Sequence, residues 1–394
     1  MTKPIPSERR CSGTLMRLAA AIVCFNTGYS IYFFLFNFFL SSQGRDEHWM
    51  GLLQGALILG SVFGSLPAGL LANRLGLRPT LALSLLLSAL LLSSITFFES
   101  TTLQIISAFC SGFFLSAWTV LIFPAMAAQI KPIDRSTVFP WLYGLGVASG
   151  CLGALLGGWL PVLFSLHTLQ ARQAVLLFGA FLIAASCLFL PADQPEASVA
   201  RLARPEKRFL PLLLTSALFA FFLGSFNPFS GVFFASRFQL SVKTVGNFFS
   251  VVQILTALAL WKNPAARRLS SAPLLCALQL LAGVLLAALA LPSLPTAALC
   301  YLLFMLAQQL AQPALQTLCM NQPTAHARTT VASWNTLGCA LAQAAATPLA
   351  GCLFRSYGYG GTLPLLGLLT AACAFLWLLL QASPASTEAS AEAK

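Results

Sequence analysis

The chain has 394 residues, of which 58% are hydrophobic and 8% charged, with a mean hydropathy of +0.82. An ordinary soluble domain carries roughly a quarter charged residues, so this balance excludes a water-exposed globular fold. The net charge of +12 is spread singly or in short groups beside apolar runs, a pattern that argues for membrane topology and against nucleic-acid binding.

In chain order, Arg9, Arg10 and Arg17 precede an apolar run from Leu18 to Leu40. The run is longer than a signal-peptide core and lacks a clear small-residue cleavage site, so it is expected to stay as a first span. A crossing needs about 20 mainly apolar residues. Runs of that kind predict spans at 17–40, 49–72, 79–98, 102–129, 137–161 and 171–191, then at 209–235, 244–262, 273–291, 296–320, 329–354 and 361–381. The charged and proline-bearing stretch 192–208 separates the two sets. The predicted fold is an all-α membrane protein of twelve transmembrane helices in two six-helix bundles. Residues 1–191 form the first bundle, 192–208 a cytoplasmic linker and 209–394 the second bundle.

Placing the N-terminus in the cytoplasm puts seventeen of the 22 Lys and Arg residues inside, leaving Arg45, Arg172, Arg237, Lys243 and Arg355 in or beside outward loops. The positive-inside rule then puts both termini in the cytoplasm of a bacterial inner membrane. The eleven cysteines contain no C-x-x-C pair, and most lie in apolar runs (Cys24, Cys110, Cys187, Cys276, Cys300, Cys373). They indicate neither a disulfide framework nor a metal site, and no cofactor is expected.

The halves repeat each other. A shift of 194 sets Ala72-Asn73-Arg74-Leu75 against Ala266-Arg267-Arg268-Leu269, and a shift of 193 sets Arg135-Ser136-Thr137-Val138 against Arg328-Thr329-Thr330-Val331 and Gly158 against Gly351. Parallel repeats of six spans occur in one large transporter class.

After the second span the chain runs Gly69-Leu70-Leu71-Ala72-Asn73-Arg74-Leu75-Gly76-Leu77-Arg78-Pro79-Thr80-Leu81, which resembles the major facilitator superfamily signature G-x-L-A-D-R-x-G-R-R-x-x-L. Gly69, Leu71, Ala72, Arg74, Gly76, Arg78 and Leu81 fit, while Asn73 stands for the acidic residue and Leu77 for a basic one. The resemblance implies a loop that stabilises one of two alternating conformations, with glycine allowing close backbone approach and arginines meeting helix carbonyls. Arg74 and Arg78 also read as plain topology signals. The drug/proton antiporter patterns are poorly met: Ala108 stands where those proteins carry an arginine four residues before Gly112, and Gly146 and Gly150 are followed by Cys151 and Ala154-Leu155. Gly146, Gly150, Gly153, Gly157 and Gly158 read as helix-packing positions.

All ten acidic residues lie in predicted loops, termini or span edges, and His48, His167 and His326 are expected in loops. A proton-coupling switch inside a span is therefore not visible, although Asp134, Glu99 or a loop histidine could enter a cavity. The resemblance implies that the first, fourth, seventh and tenth spans line that cavity. Their polar and aromatic residues, Asn26, Ser30, Asn37, Trp118, Asn227, Gln308, Gln312 and Gln316, become the candidate solute contacts, with Ser111 and Phe33 nearby. Gln308, Gln312 and Gln316 recur every four residues on one helix face, with Pro313 able to kink it. Amides in membrane helices also act as interhelical hydrogen-bond glue.

The resemblance implies a secondary transporter working by alternating access, and these residues suit a small organic solute that is neutral, zwitterionic or amphipathic. The expected partners are that solute and the lipid bilayer, and the chain is expected to be a monomer. A lipid translocator and a non-transporting sensor or assembly protein remain open readings. An enzyme is not expected, because no nucleophile, base and orienting acid cluster and no metal spacing is present.

Overall fold

A computed structural model describes residues 6–129, 135–164, 168–190, 209–262, 272–320 and 325–379. The linker 192–208 and Asp134 fall outside them. The described residues are helical almost throughout: α1 (Pro6–Ser42), α2 (Glu47–Leu75), α3 (Leu77–Ile95), α4 (Thr101–Gln129), α5 (Arg135–Leu163), α6 (Thr168–Ala185), α7 (Leu210–Phe226), α8 (Ser230–Phe238), α9 (Val242–Lys262), α10 (Ala272–Ala288), α11 (Leu294–Met320), α12 (Ala325–Ala374) and α13 (Leu376–Leu379). A 3-10 turn at Asn227–Phe229 joins α7 to α8, where Pro228 removes a backbone donor and interrupts the predicted seventh span.

Ten helices of the described residues are long and apolar enough to cross a bilayer, and the apolar stretch Pro273–Ala288 is a shorter one. One of the ten, Ser333–Ala374, has 42 residues, about twice what a crossing needs. It breaks at Gly358, whose φ of 64° is left-handed. The Thr362 hydroxyl donates to the Leu353 carbonyl at 3.0 Å, whereas nine residues of straight helix would separate these groups by about 13 Å. The segment is therefore bent sharply near Gly358, which lies between the predicted eleventh and twelfth spans. Large apolar side chains such as Leu70, Leu90, Phe181 and Leu368 are exposed, which suits helices that face lipid instead of water.

The chain forms two compact units. One comprises Met1–Asp46, Leu52–Val199 and Gly231–Ile254, the other Glu47–Gly51, Ala200–Ser230 and Leu255–Lys394. In the first unit α1 packs against α4, α5 and α6, and α3 against α4 and α6. Packing between membrane helices gains little from the hydrophobic effect, so it depends on close approach and buried hydrogen bonds. A Cβ on Gly153 would stand 2.6 Å from both Ser30 Cβ and the Thr27 carbonyl oxygen, and one on Gly157 2.9 Å from Phe34. Gly153 and Gly157 of α5 therefore do serve packing. Tyr32 donates its hydroxyl to the Leu92 carbonyl at 3.0 Å, and the half-buried Arg172 donates to the Phe38 carbonyl at 2.6 Å.

In the second unit α7 packs on α12, and α10 on α11, α12 and α13. Gln279 on α10 ties the end of the chain in: it donates to the Thr370 carbonyl at 3.2 Å and accepts from the buried Trp377 indole at 2.5 Å.

The loop between α2 and α3 carries the signature residues. Gly76 sits at φ 90°, accepts from Thr80 and donates its own N–H to the Ala72 carbonyl at 3.0 Å. Close approach is not the reason for this glycine, since the nearest atom to a Cβ built there is Pro79 Cδ at 3.7 Å. Its positive φ is, because an L side chain pays for that conformation. Gly69 is buried, whereas Asn73, Arg74 and Arg78 are exposed.

Candidate functional site

In the first unit the first-span candidates divide. Asn26 is half-buried and donates its amide to the Ile22 carbonyl at 2.8 Å, which leaves Oδ1 as an acceptor. Ser30 donates to the Gly150 carbonyl of α5 at 2.7 Å. Both residues face α5, where a Cβ on Gly146 would stand 3.4 Å from the Asn26 amide nitrogen. Asn37, two turns further along α1, is only 3% exposed, and Phe33 is 41% exposed. Asn26, Ser30, Phe33 and Asn37, spaced four, three and four residues apart along one helix face, thus occupy three environments.

An aromatic row lies beside Asn26. Trp118 of α4 stacks on Phe25 with centroids 4.1 Å apart and planes 17° apart. Tyr29 continues the row at 5.9 Å from Phe25, and Phe33 at 6.1 Å from Tyr29. Ser111 is fully buried and returns its hydroxyl to its own helix at Ala108.

One polar residue of this cluster escaped the sequence reading. Gln253 of α9 brings Oε1 within 3.3 Å of the place a Cβ on Gly150 would take, and 3.8 Å from Cys151 Sγ. It belongs to the eighth span, which the resemblance does not count among the cavity helices. A lone glutamine in an apolar run was the available signal.

In the second unit Asn227 and Gln308 find each other. Asn227 Nδ2 donates to Gln308 Oε1 at 3.1 Å, and Gln308 Nε2 returns the bond to Asn227 Oδ1 at 3.4 Å. Around them Phe226 meets Phe304 and Tyr301 edge to face, at 6.1 and 6.3 Å, and Tyr301 donates to Ser230 at 3.4 Å. Gln308 is buried. Gln312 and Gln316 lie on α11, but their side chains are outside the described residues.

Neither cluster contains an ionised group. Residues 18–42, 101–129, 209–236 and 294–320 hold no Asp, Glu, Lys, Arg or His. Glu99 is exposed in the loop after α3, where its backbone carbonyl accepts from Arg45 at 3.4 Å. His48 stands in the first turn of α2, not in a loop, and His326 falls within α12. No group of three or more potential metal ligands occurs among the described residues.

The profile of the Major Facilitator Superfamily matches residues 18–347. Among solved structures, the nucleoside transporter NupG superposes with a TM-score of 0.76 at 15% identity, covering 93% of this chain and 98% of that one. A bacterial homologue of the human lysosomal transporter Spinster, inward-facing and occupied, gives 0.73 at 15% identity over 97% and 96%. A D-xylose-proton symporter gives 0.71 at 12% identity over 93% and 97%. At such identities these likenesses concern the fold. A benzoate transport protein of Acinetobacter baylyi is 35% identical over 106 residues, 27% of this chain and 22% of that protein, so the match spans about a fifth of the relative's length. A signature loop, membrane-crossing helices and a profile match over most of the sequence agree: this integral membrane chain belongs to the Major Facilitator Superfamily of secondary transporters.

Proposed function

We propose that the chain carries a small organic solute that is neutral, zwitterionic or amphipathic across a bacterial inner membrane by alternating access. The observation that supports this most is the make-up of the two clusters. Each offers amide or hydroxyl groups beside aromatic rings, and residues 18–42, 101–129, 209–236 and 294–320, which supply all of them but Gln253, hold no charged residue. A multiply charged solute would find no counter-charge there to replace its hydration, whereas a neutral one can exchange water for amide hydrogen bonds and ring contacts.

Asn26, Ser30 and Trp118 are the proposed contacts in the first unit, with Gln253 added to them, and Asn227 and Gln308 those in the second. Asn37, Gln312 and Gln316 stay within the proposal as flanking polar positions. The loop of Gly69, Asn73, Arg74, Gly76 and Arg78 is proposed to stabilise one conformation, with Asn73 supplying a neutral group where the signature has an anion.

A thermal-shift screen of the purified protein tests the solute class, because a ligand that binds the folded state raises its melting temperature by mass action. Neutral and zwitterionic solutes, aromatic ones among them, are expected to stabilise the protein. Stabilisation confined to multiply charged solutes contradicts the proposal.

A further inference from the structure

Outside the candidate site, the described residues hold a nucleophile paired with a base. Cys352 on α12 and His48 at the start of α2 are 304 residues apart in sequence, yet Cys352 Sγ lies 3.0 Å from His48 Nδ1. Of the nine cysteines whose side chains are described, Cys352 is exposed and the others are buried or half-buried. Arg355 and Ser356, one turn further along the helix, are also exposed, which makes this end of the helix polar. The backbones fix the pair. A Cβ on Gly351 would stand 2.5 Å from the Glu47 carbonyl and 3.1 Å from His48 Cα, and one on Gly51 2.5 Å from the Thr347 carbonyl. Two glycines press α2 onto α12 within the second unit and present thiol and imidazole to each other.

The first unit contains the matching junction. A Cβ on Gly158, the repeat partner of Gly351, would stand 3.2 Å from the Val242 carbonyl and 3.4 Å from Lys243 Cα, and one on Gly246 2.9 Å from the Ala154 carbonyl. Trp159 follows Gly158 as Cys352 follows Gly351, and Lys243 follows Val242 as His48 follows Glu47. There the side chains form an unreactive clasp: the Lys243 ammonium lies 3.6 Å from the Trp159 ring centroid, and the indole donates to Asn247 Oδ1 at 2.8 Å. The second unit puts a thiol and a base in the equivalent place.

We propose that Cys352, with His48 as its proton acceptor, is a modification site for soft thiol-directed electrophiles, specifically low-molecular-weight disulfides. His48 Nδ1 takes the thiol proton and Cys352 Sγ attacks one sulfur of the disulfide. The reagent's S–S bond breaks as the new S–S bond forms, and the departing thiolate takes up the proton. Cys352 is thereby oxidised to a mixed disulfide while half of the reagent is reduced to a thiol, and excess free thiol reverses the exchange. The other cysteines whose side chains are described are buried or half-buried, which hinders attack by a water-borne reagent. The adduct replaces the thiol–imidazole contact of the α2–α12 junction, and none of this depends on which solute is carried.

The test is to treat the full-length protein in detergent with glutathione disulfide at neutral pH and follow adduct formation by intact mass and peptide mapping. The expected result is one adduct, on the peptide that carries Cys352, released by reductant and absent in Cys352→Ser. His48→Gln is expected to slow its formation by about tenfold or more, whereas Lys243→Gln in the matching junction leaves the rate unchanged. Measuring melting temperatures of the variants ensures that folded protein is compared. An adduct that maps to another cysteine with Cys352 left free, or a His48→Gln variant that reacts at the wild-type rate, overturns the proposal.

Discussion

Gln308 and Asn227 satisfy each other's amides, and a lost partner in a buried site costs more than a missing pair. Gln308→Leu is therefore expected to destabilise the protein by about 1–3 kcal/mol, because Asn227 is left without its partner. Adding Asn227→Leu should recover part of the loss, which thermal unfolding of the single and double variants reads directly. Asn26 differs, since its one hydrogen bond runs to its own helix and its carbonyl oxygen remains available. Asn26→Leu should leave the melting temperature nearly unchanged and weaken solute binding by about 0.5–1.5 kcal/mol, the worth of one neutral hydrogen bond. A destabilised Asn26→Leu protein with full affinity would remove Asn26 from the site. The sequence made both residues conspicuous as amides in apolar helices. It could not say which would be paired, because that depends on how each helix is rotated against its neighbour, and Gln253 went unnoticed because the resemblance does not count its span among the cavity helices.

Glycines divide into kinds at the scale of the element. Gly76 holds a positive φ between α2 and α3, so Gly76→Ala is expected to cost about 1–2 kcal/mol through backbone strain. Gly153 holds α5 against α1, and Gly153→Ala should cost about 1–3 kcal/mol by overpacking. Gly144 on the same helix has nothing within 4 Å of a built Cβ, and Gly144→Ala should leave stability unchanged or slightly raised. Melting temperatures of the three variants check that order; a Gly144→Ala protein as unstable as Gly153→Ala would contradict the packing account. Helix ends were well marked in the sequence, the third span being expected at 79–98 and found at Leu77–Ile95, the eighth expected at 244–262 and found at Val242–Lys262. Hydropathy reports the apolar middle of a helix and is blind to polar extensions, so the early start of α1 at Pro6 was not legible. Nor was the positive φ that calls for Gly76 in the signature loop, since a motif records residue identity and not φ.

For the whole molecule, the internal repeat returns as contacts. Ser30 on α1 meets Gly150 on α5, and at the matching crossing Gly224 on α7 meets Gln343 on α12, a built Cβ standing 2.9 Å from Gln343 Cγ. The polar side chain has changed helices while the crossing has persisted, which shows why side-chain roles do not transfer between halves even where backbone packing does. The bias of 17 basic residues over 5 predicts cytoplasmic termini, and a phosphatase fused after Lys394 should accordingly be silent while a cytoplasmic reporter there is active. The absence of charged residues from the first, fourth, seventh and tenth spans predicts carriage that depends weakly on a proton gradient. Counterflow in proteoliposomes loaded with whichever solute stabilises the protein tests this most directly. Labelled solute should accumulate transiently against the unlabelled pool and continue to do so with an uncoupler present. Binding without counterflow would show a sensor on a transporter fold, and counterflow abolished by the uncoupler would reveal a titrating group that the account lacks.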